Sequence, residues 1–189
     1  MIGLIRARPL MSAIVALLVL TLIFSTLAIV RETQQAIVVR FGKPVRIENP
    51  YKPNQPFGQT GAGLAWRIPF ADNFVWIDKR VRAVDMERQQ VLSTDQLRLE
   101  VDAFARYRIV DPLQMYKAAG TEDKVEQALR PILGSALRNE LGQRPFSSLL
   151  SPERAGVMEN IRVDLNRAAA QYGAEIIDVR IKKADLPDG

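Results

Sequence analysis

Residues 97–119 read LRLEVDAFARYRIVDPLQMYKAA, and the spacing of their apolar side chains changes partway along. From Leu97 to Ile109 every second residue is apolar and most of the others are charged, which predicts a long strand with one buried face. Asp111 and Pro112 then begin a segment with helical spacing, because aspartate is a favourable N-cap and proline fits the first turn. The stretch therefore predicts the point at which a β-rich part of the chain meets a helical part.

Helical spacing continues on the C-terminal side of this junction. Thr121 is expected to cap a helix that is bent at Pro131 and ends at Gly142, since proline removes one backbone donor. The apolar side chains of this helix recur every four positions, at Val125, Leu129, Leu133, Leu137 and Leu141. A third helix is predicted over 151–173, and a closing strand over 175–182.

Strands are predicted on the N-terminal side. Two short strands with a turn between them are expected over 34–47, and further strands over 64–68, 74–77 and 81–92. The segment 49–63 is rich in proline and glycine, which neither a helix nor a central strand tolerates, so it is predicted to be a loop. Strands followed by helices and one closing strand indicate an α+β fold. We expect a β-rich first lobe over 31–110 and an α/β second lobe over 111–189.

An uncharged segment precedes these lobes. The 21 residues Leu10–Val30 would extend about 31 Å as a helix, which matches the hydrocarbon thickness of a bilayer. A cleaved secretory signal is the alternative, but its apolar core is normally about 7 to 15 residues long. The segment therefore predicts an uncleaved transmembrane helix. Because Arg6 and Arg8 lie before it, residues 1–9 are expected to form a cytoplasmic head, which places the folded part outside the cytoplasm.

Composition excludes several classes of function. The chain contains no cysteine and no histidine, so thiol and imidazole chemistry, disulfides and most protein-built zinc or copper sites are absent. The formal charge of +5 comes from 26 basic and 21 acidic residues that are interspersed, which argues against a nucleic-acid-binding face. No cofactor, metal site or catalytic residue is predicted.

Several segments together resemble one family. They are QAIVVRFGK at 35–43, GLAWRIPF at 63–70, YRIVDP at 107–112, RNELG at 138–142 and GAEIIDVRIK at 173–182. In this order and spacing, after an apolar anchor, they resemble the stomatin, prohibitin, flotillin and HflK/C family, and within it the chain is most similar to HflC-like members. The resemblance covers nearly the whole chain.

This resemblance implies a fold and a function. The fold is an SPFH or band 7 domain in two lobes, in the bacterial inner membrane, with the main domain in the periplasm. HflC-like chains assemble with an HflK-like chain into a large ring that encloses the FtsH protease and restricts its substrates. They continue into a long C-terminal helix, and we expect this chain to be truncated before that helix. The alternatives are a lipid-microdomain organiser with a different client and, less favoured, a membrane-anchored serine hydrolase.

The hydrolase alternative would need a serine activated without histidine. Ser93 lies in a predicted turn, and the serines at 147, 148 and 151 lie near a predicted helix start, where serine is expected as a cap. None of them has the Gly-x-Ser-x-Gly setting of a nucleophile elbow. The sequence therefore favours a scaffold that is not an enzyme.

Two pairs of residues are candidates for contacts with other molecules. Trp66 and Phe70 are candidates for the membrane interface, where aromatic side chains are favoured, whereas Phe74 and Trp76 are expected to fill the core of the first lobe. Arg106 and Arg108, on the charged face of the long strand, are candidates for an oligomer interface. Exposed ion pairs contribute only about 0 to 1 kcal/mol, so a solvated face is the simpler alternative for these arginines.

Overall fold

The computed structural model describes residues 9–56 and 58–185. Their contacts divide the chain into two compact units. The first unit contains the described residues up to Pro50 together with Asn54–Trp76, and the second contains Tyr51–Pro53 together with the described residues from Ile77 onward. Most of the predicted head, residues 1–8, lies outside the described residues.

The first unit combines one helix with two small sheets, in which β1 pairs with β4 and β2 with β3 in the antiparallel direction. Strands β1 and β4 form a two-stranded ribbon, and a three-stranded sheet has the order β3-β2-β5. The elements are α1 (Pro9–Thr26), β1 (Leu27–Val30), β2 (Gln34–Arg40), β3 (Lys43–Glu48), β4 (Gly63–Trp66) and β5 (Asp72–Asp78), of which the last two residues are counted with the second unit. Strand β2 is buried on both faces from Ala36 to Val39, so it forms the core of this unit.

The predicted helix over 10–30 is too long at its C-terminal end. Helix α1 ends at Thr26, and Leu27–Val30 instead pairs with β4. Two features favour this: Ile29 and Val30 are β-branched, and the backbone N–H of Arg67 donates to the carbonyl of Thr26 at 2.7 Å. Among the described residues, no helix combines the length and the hydropathy that a membrane span requires.

The second unit is one antiparallel sheet with helices packed on it. The long central strand β8 pairs with β6 and β7 on one edge and with β9 on the other. The strands are β6 (Arg82–Asp85), β7 (Gln89–Leu92), β8 (Arg98–Ile109) and β9 (Ala174–Asp185). The helices are α2 (Pro112–Ala118), α3 (Glu122–Gly142), α4 (Ser147–Leu150) and α5 (Arg154–Ala169), followed by a 3-10 turn, Ala170–Tyr172.

The core of the second unit confirms the periodicity of the sequence. Alternate residues of β8 from Leu99 to Ile109 are buried, and so are all five predicted apolar residues of α3. Helix α5 buries Val157, Ile161, Leu165 and Ala169, and it packs against both α3 and β9. Each fully buried leucine contributes about 1.5–3 kcal/mol relative to exposure, so this layer is the main source of the unit's stability.

The predicted caps of the first two helices in this unit are confirmed, whereas the third helix, predicted over 151–173, is shorter and spans Arg154–Ala169. The carboxylate of Asp111 accepts the backbone N–H of Gln114 at 2.9 Å, and the hydroxyl of Thr121 accepts that of Lys124 at 3.4 Å. Helix α3 ends at Gly142 and contains Pro131. The single turn α4 was not predicted, because four residues are too few for a helical period to be recognised.

The division between the units lies earlier than the expected lobe boundary after residue 110. Strand β8 pairs with β9 along nearly its whole length, and its buried face carries the residues on which the second unit's core is built. Its contacts therefore place it with the helices, and the second unit begins at Ile77.

Candidate membrane-facing surface

Helix α1 presents apolar side chains in all directions. Its described side chains, from Met11 to Thr26, are exposed or half-buried, and none is charged. The hydroxyls of Thr21 and Thr26 donate to the carbonyls of Leu17 and Leu22, at 2.7 and 2.8 Å, so these polar groups are satisfied within the helix. A helix that is apolar all round is normally buried in protein or in lipid.

The ribbon that follows α1 carries this apolar surface further. Leu27 pairs with Trp66 and Ile29 pairs with Leu64, and all four side chains are exposed, with 73% for Ile29 and 71% for Leu64. Val30 and Ala65 are buried. The ribbon is therefore amphipathic, and its apolar exposed face begins where the helix ends.

Trp66 is held at the surface by Arg46. The Arg46 guanidinium carbon lies 4.2 Å from the centre of the indole, within cation-π range, and the same guanidinium donates to the backbone carbonyl of Trp66. Arg46 also forms an ion pair with Glu48 at 2.7 Å. Trp66 is 54% exposed, so the ring has one face on the cation and presents much of its surface outward.

Phe70 lies at the tip of a tight turn. The backbone N–H groups of Ala71 and Asp72 both donate to the carbonyl of Ile68, at 3.3 and 3.0 Å. Phe70 has a φ of 66°, an uncommon conformation for a bulky residue, and its side chain is 99% exposed. The turn therefore leaves the large apolar side chain of Phe70 almost completely exposed.

A buried carboxylate stabilises this turn. Asp72 is 2% exposed and accepts two hydrogen bonds from the Arg40 guanidinium, from Nε at 2.7 Å and from Nη2 at 3.1 Å. It also accepts the backbone N–H of Ile68 at 3.0 Å. The bonds from Arg40, and then the one from Ile68, lower the pKa of Asp72 from 3.8 to about 2.

Because the pKa of Asp72 is lowered, the folded first unit is expected to lose stability in acid. Because the pKa of Asp72 is lower in the folded state, its stabilisation is present above about pH 4 and is lost as the pH falls through 3.8 towards about 2. Asp72→Asn is expected to lower the urea midpoint at pH 6 and to weaken its pH dependence. Both tryptophans, Trp66 and Trp76, lie in this unit, so their fluorescence measures its unfolding. Glu32→Gln, which neutralises an exposed carboxylate, is the control, and an equal effect of both substitutions would refute the role of Asp72.

Other aromatic side chains differ from expectation. Phe74 and Trp76 stack with ring centres 5.1 Å apart, but only Phe74 is half-buried, whereas Trp76 is exposed, so the expectation that both fill the core is wrong for Trp76. Phe41 was not predicted as a surface residue, yet it is 83% exposed in the turn before Gly42. The sequence signal for its exposure was the Phe-Gly-Lys pattern, which is typical of a tight turn. In the structure φ is 47° for Phe41 and 81° for Gly42.

The two candidate interface arginines lie in the second unit and have partners within the chain. Arg106 forms a bidentate ion pair with Asp178 across the β8–β9 ladder, with Nε 2.7 Å from Oδ1. The Arg108 guanidinium donates to the hydroxyl of Tyr51 at 2.5 Å and lies 4.8 Å from the centre of its ring. Their side chains are therefore positioned by the protomer itself.

The serines weighed as nucleophiles make local hydrogen bonds. The Ser93 hydroxyl donates to Asp95, and those of Ser148 and Ser151 donate to the carbonyls of Pro145 at 2.8 Å and Ser148 at 3.2 Å. These are the bonds of turns and helix ends, as the sequence predicted. Within residues 9–56 and 58–185 no group of three or more acidic side chains is arranged to hold a metal ion.

Comparisons with known proteins agree with this architecture. The chain is 28% identical over 180 residues to the protein HflC of Haemophilus influenzae, covering 92% of this chain and 59% of that protein. It is also 28% identical over 178 residues to a stomatin homolog of Pyrococcus horikoshii, covering 94% and 61% respectively. A band 7 protein of Drosophila melanogaster matches at 28% identity, over 92% of this chain and 32% of its own length.

The chain thus spans about three fifths of the first two relatives, and the HflC and stomatin proteins are equally similar to it. The sequence model of one family, described as SPFH domain / Band 7 family, matches residues 28–189. This match begins within β1, after α1, and continues through both units. The chain belongs to the SPFH domain / Band 7 family.

Proposed function

We propose that this chain is an HflC-like, single-pass membrane scaffold without catalytic activity. It assembles with an HflK-like chain and restricts the access of substrates to the FtsH protease. The observation that carries the membrane part is the continuous exposed apolar surface of α1 and the β1–β4 ribbon. The similarity to HflC proteins supports the choice of partners.

Insertion of α1 into a bilayer accounts for its surface. By itself α1 falls short of a full span, since its 18 residues extend about 27 Å against a hydrocarbon thickness of about 30 Å, and we propose that local thinning of the bilayer accommodates the difference. Exposed apolar side chains around the whole helix are costly in water but favourable in lipid. Arg6 and Arg8 precede the helix, so we place the N-terminus in the cytoplasm and the main domain in the periplasm of a bacterial inner membrane.

Trp66 and Phe70 then contact the membrane interface. The ribbon directly follows α1, so its exposed face is tethered close to the bilayer surface. Trp66 suits this position because an indole beside a cation is amphipathic, and tryptophan is favoured at the headgroup level. In this arrangement the side chain of Phe70, at the tip of its turn, inserts into the interfacial layer of the bilayer.

Lipid quenching tests this contact. In liposomes, the variant Trp76→Phe retains Trp66 as the one tryptophan, and its fluorescence is expected to be quenched by phospholipids brominated near the headgroup. The matched variant Trp66→Phe retains Trp76 and is expected to be quenched less. Adding Phe70→Ser to the first variant is expected to reduce quenching further. Equal quenching of both tryptophans, or none, would refute the assignment.

Within the assembly, we propose that Arg106 and Arg108 face a neighbouring chain. Arg106→Glu with Arg108→Glu is expected to reduce recovery of an HflK-like chain severalfold, because the sign of this part of the sheet reverses. The control is Tyr51→Phe with Asp178→Asn, which removes the hydroxyl and carboxylate these arginines bind while keeping both cations. If the control loses the partner equally, the arginines act through the fold and the interface is refuted.

A stomatin-like organiser of lipid microdomains is the second candidate. It is favoured by the stomatin homolog, which matches as well as the HflC protein does. Both candidates use the same tether and differ in what the assembly encloses. The identity of the enclosed protein therefore decides between them.

Purification from the native membrane distinguishes these functions. The tagged chain, encoded by its complete genomic reading frame, is captured in mild detergent and its partners are identified by mass spectrometry and negative-stain imaging. Rings that contain FtsH and an HflK-like chain are expected. Rings without FtsH would support the lipid organiser, and a monomer without partners would refute both.

A further inference from the structure

Two turns of the first unit lie side by side. Arg40 is the last residue of β2 and Asp72 is the first residue of β5, and the bidentate ion pair between them joins these two strand ends. The turn that contains Phe41 directly follows β2, and the turn that contains Phe70 directly precedes β5. The same end of the three-stranded sheet therefore carries two large apolar side chains that are 83% and 99% exposed.

These two turns, residues 41–42 and 68–71, are called the turn pair, and they are attached to the end of α1. The backbone N–H of Arg67 donates to the carbonyl of Thr26 at 2.7 Å, and its Nε donates to the carbonyl of Ser25 at 3.0 Å. The second turn begins at the next residue along the chain. Because α1 ends at Thr26, insertion of α1 into a bilayer brings the turn pair to the bilayer surface.

The charge around the turn pair stays positive after its internal ion pairs have formed. Segments 40–48 and 66–72 contain four basic and two acidic residues. Both acidic residues are paired with arginine, Asp72 with Arg40 and Glu48 with Arg46. Of the other two cations, Lys43 is exposed and forms no ion pair with another described residue, and Arg67 bonds a neutral carbonyl. The surface thus combines exposed apolar side chains with unbalanced positive charge.

Arg31 is an exposed cation at the opposite end of the same sheet. The side chain of Asn49, which follows β3, donates to the carbonyls of Arg31 and Gln34 at 3.1 and 2.8 Å, so Arg31 lies where β2 begins. Strand β2 has seven residues, which places Arg31 about 20 Å from the turn pair. This separation is about twice the Debye length of about 10 Å at 0.1 M salt, so the two ends act independently on charged molecules.

We propose that the turn pair binds the headgroups of anionic phospholipids. Lys43 and Arg67 attract the net negative charge of these headgroups, and Phe41 inserts between them beside Phe70. Zwitterionic lipids are attracted less, because their phosphate is balanced by a cation within the same headgroup. This inference rests on the membrane contact proposed above, and it adds the class of lipid that the contact selects.

Quenching by two lipids of different charge tests this selection. Full-length Trp76→Phe, which retains Trp66, is placed in liposomes of phosphatidylcholine with a minor fraction of phosphatidylglycerol. Equal amounts of brominated lipid are supplied as phosphatidylcholine in one sample and as phosphatidylglycerol in the other. Trp66 is a suitable reporter because its ring lies on Arg46, on the same strand as Lys43. At low salt we expect brominated phosphatidylglycerol to quench about twice as strongly, and high salt is expected to reduce this excess.

Lys43→Gln measures the contribution of charge. Lys43 has no ion pair within the described chain to lose, so the fold is expected to persist while the excess quenching by phosphatidylglycerol falls by at least about half. Arg31→Gln is the matched control, because it removes one exposed cation from the same unit at the other end of the sheet, and it is expected to keep the excess. Equal losses in both variants, or no loss in Lys43→Gln, would overturn the proposal.

Phe41→Ser separates insertion from lipid selection. This variant is expected to lower quenching by both brominated lipids by the same factor, because an apolar contact does not distinguish the headgroups. Unchanged quenching would refute the insertion of Phe41. If the two lipids quench the Trp76→Phe chain equally, the lipid class is refuted and the membrane contact remains, whereas no quenching by either lipid would refute the contact together with this inference.

Discussion

Gly173→Ala is expected to unfold the second unit. Gly173 has a φ of 65°, and a Cβ atom there would lie 2.2 Å from the carbonyl oxygen of Asp111 and 2.9 Å from the backbone nitrogen of Met115. Neither is a flexible side chain that can move away. The carbonyl of Gly173 also accepts the N–H groups of Val110 and Asp111, at 2.9 and 3.0 Å, so this residue joins the end of β8 to the start of β9. We expect a loss of more than about 3 kcal/mol.

Gly156→Ala is the matched control. Gly156 lies in α5, and a Cβ atom there would have no neighbour within 4 Å. In a helix this substitution is neutral or stabilises by up to about 1 kcal/mol. Thermal unfolding followed by circular dichroism, together with limited proteolysis, measures both variants. A Gly173→Ala chain as resistant as the control would contradict the backbone contact that predicts the loss.

Leu17→Arg combined with Leu18→Arg is expected to release the chain from the membrane. Both residues lie at the centre of α1 and are exposed. An arginine at the middle of a spanning helix costs about 2.5–3.5 kcal/mol, so two of them cancel most of the gain from the apolar side chains. After extraction with alkaline carbonate, the unchanged chain is expected in the membrane pellet and the double variant in the supernatant.

The control for this experiment replaces the same two residues with alanine. Leu17→Ala with Leu18→Ala removes apolar surface without adding charge, and the chain is expected to stay in the pellet. If the arginine and alanine variants sediment alike, α1 does not lie in the bilayer and the proposed anchor is wrong. The SPFH domain assignment would remain, because the family match begins after α1.

The second unit was predicted well because its signals are local. The alternation of β8 and the four-residue spacing of α3 each follow from a single face that must be buried. The caps at Asp111 and Thr121 act on backbone groups three residues away. Such interactions are visible in a short window of sequence, so helix and strand positions in this part of the chain could be recognised without the structure.

The candidate surface was predicted less well because it depends on distant contacts. Trp66 and Phe70 were named from composition and position, yet their exposure depends on the ribbon with Leu27–Val30 and on the bond between Asp72 and Arg40, 32 residues apart. For the same reason Phe41 was missed and Trp76 was expected in the core. Arg106 was recognised as part of a charged face, but its partner Asp178 is 72 residues away.

The sequence by itself determined the α+β class, the uncharged segment before the domain, the positions of β8, α2 and α3 in the second unit, and the absence of cysteine and histidine chemistry. Periodicity and composition are properties of the chain alone. The tertiary structure decided that α1 ends at Thr26 and that the apolar face of the ribbon is exposed. These depend on which strands pair and in what register, and that choice is made by the burial of both partners together.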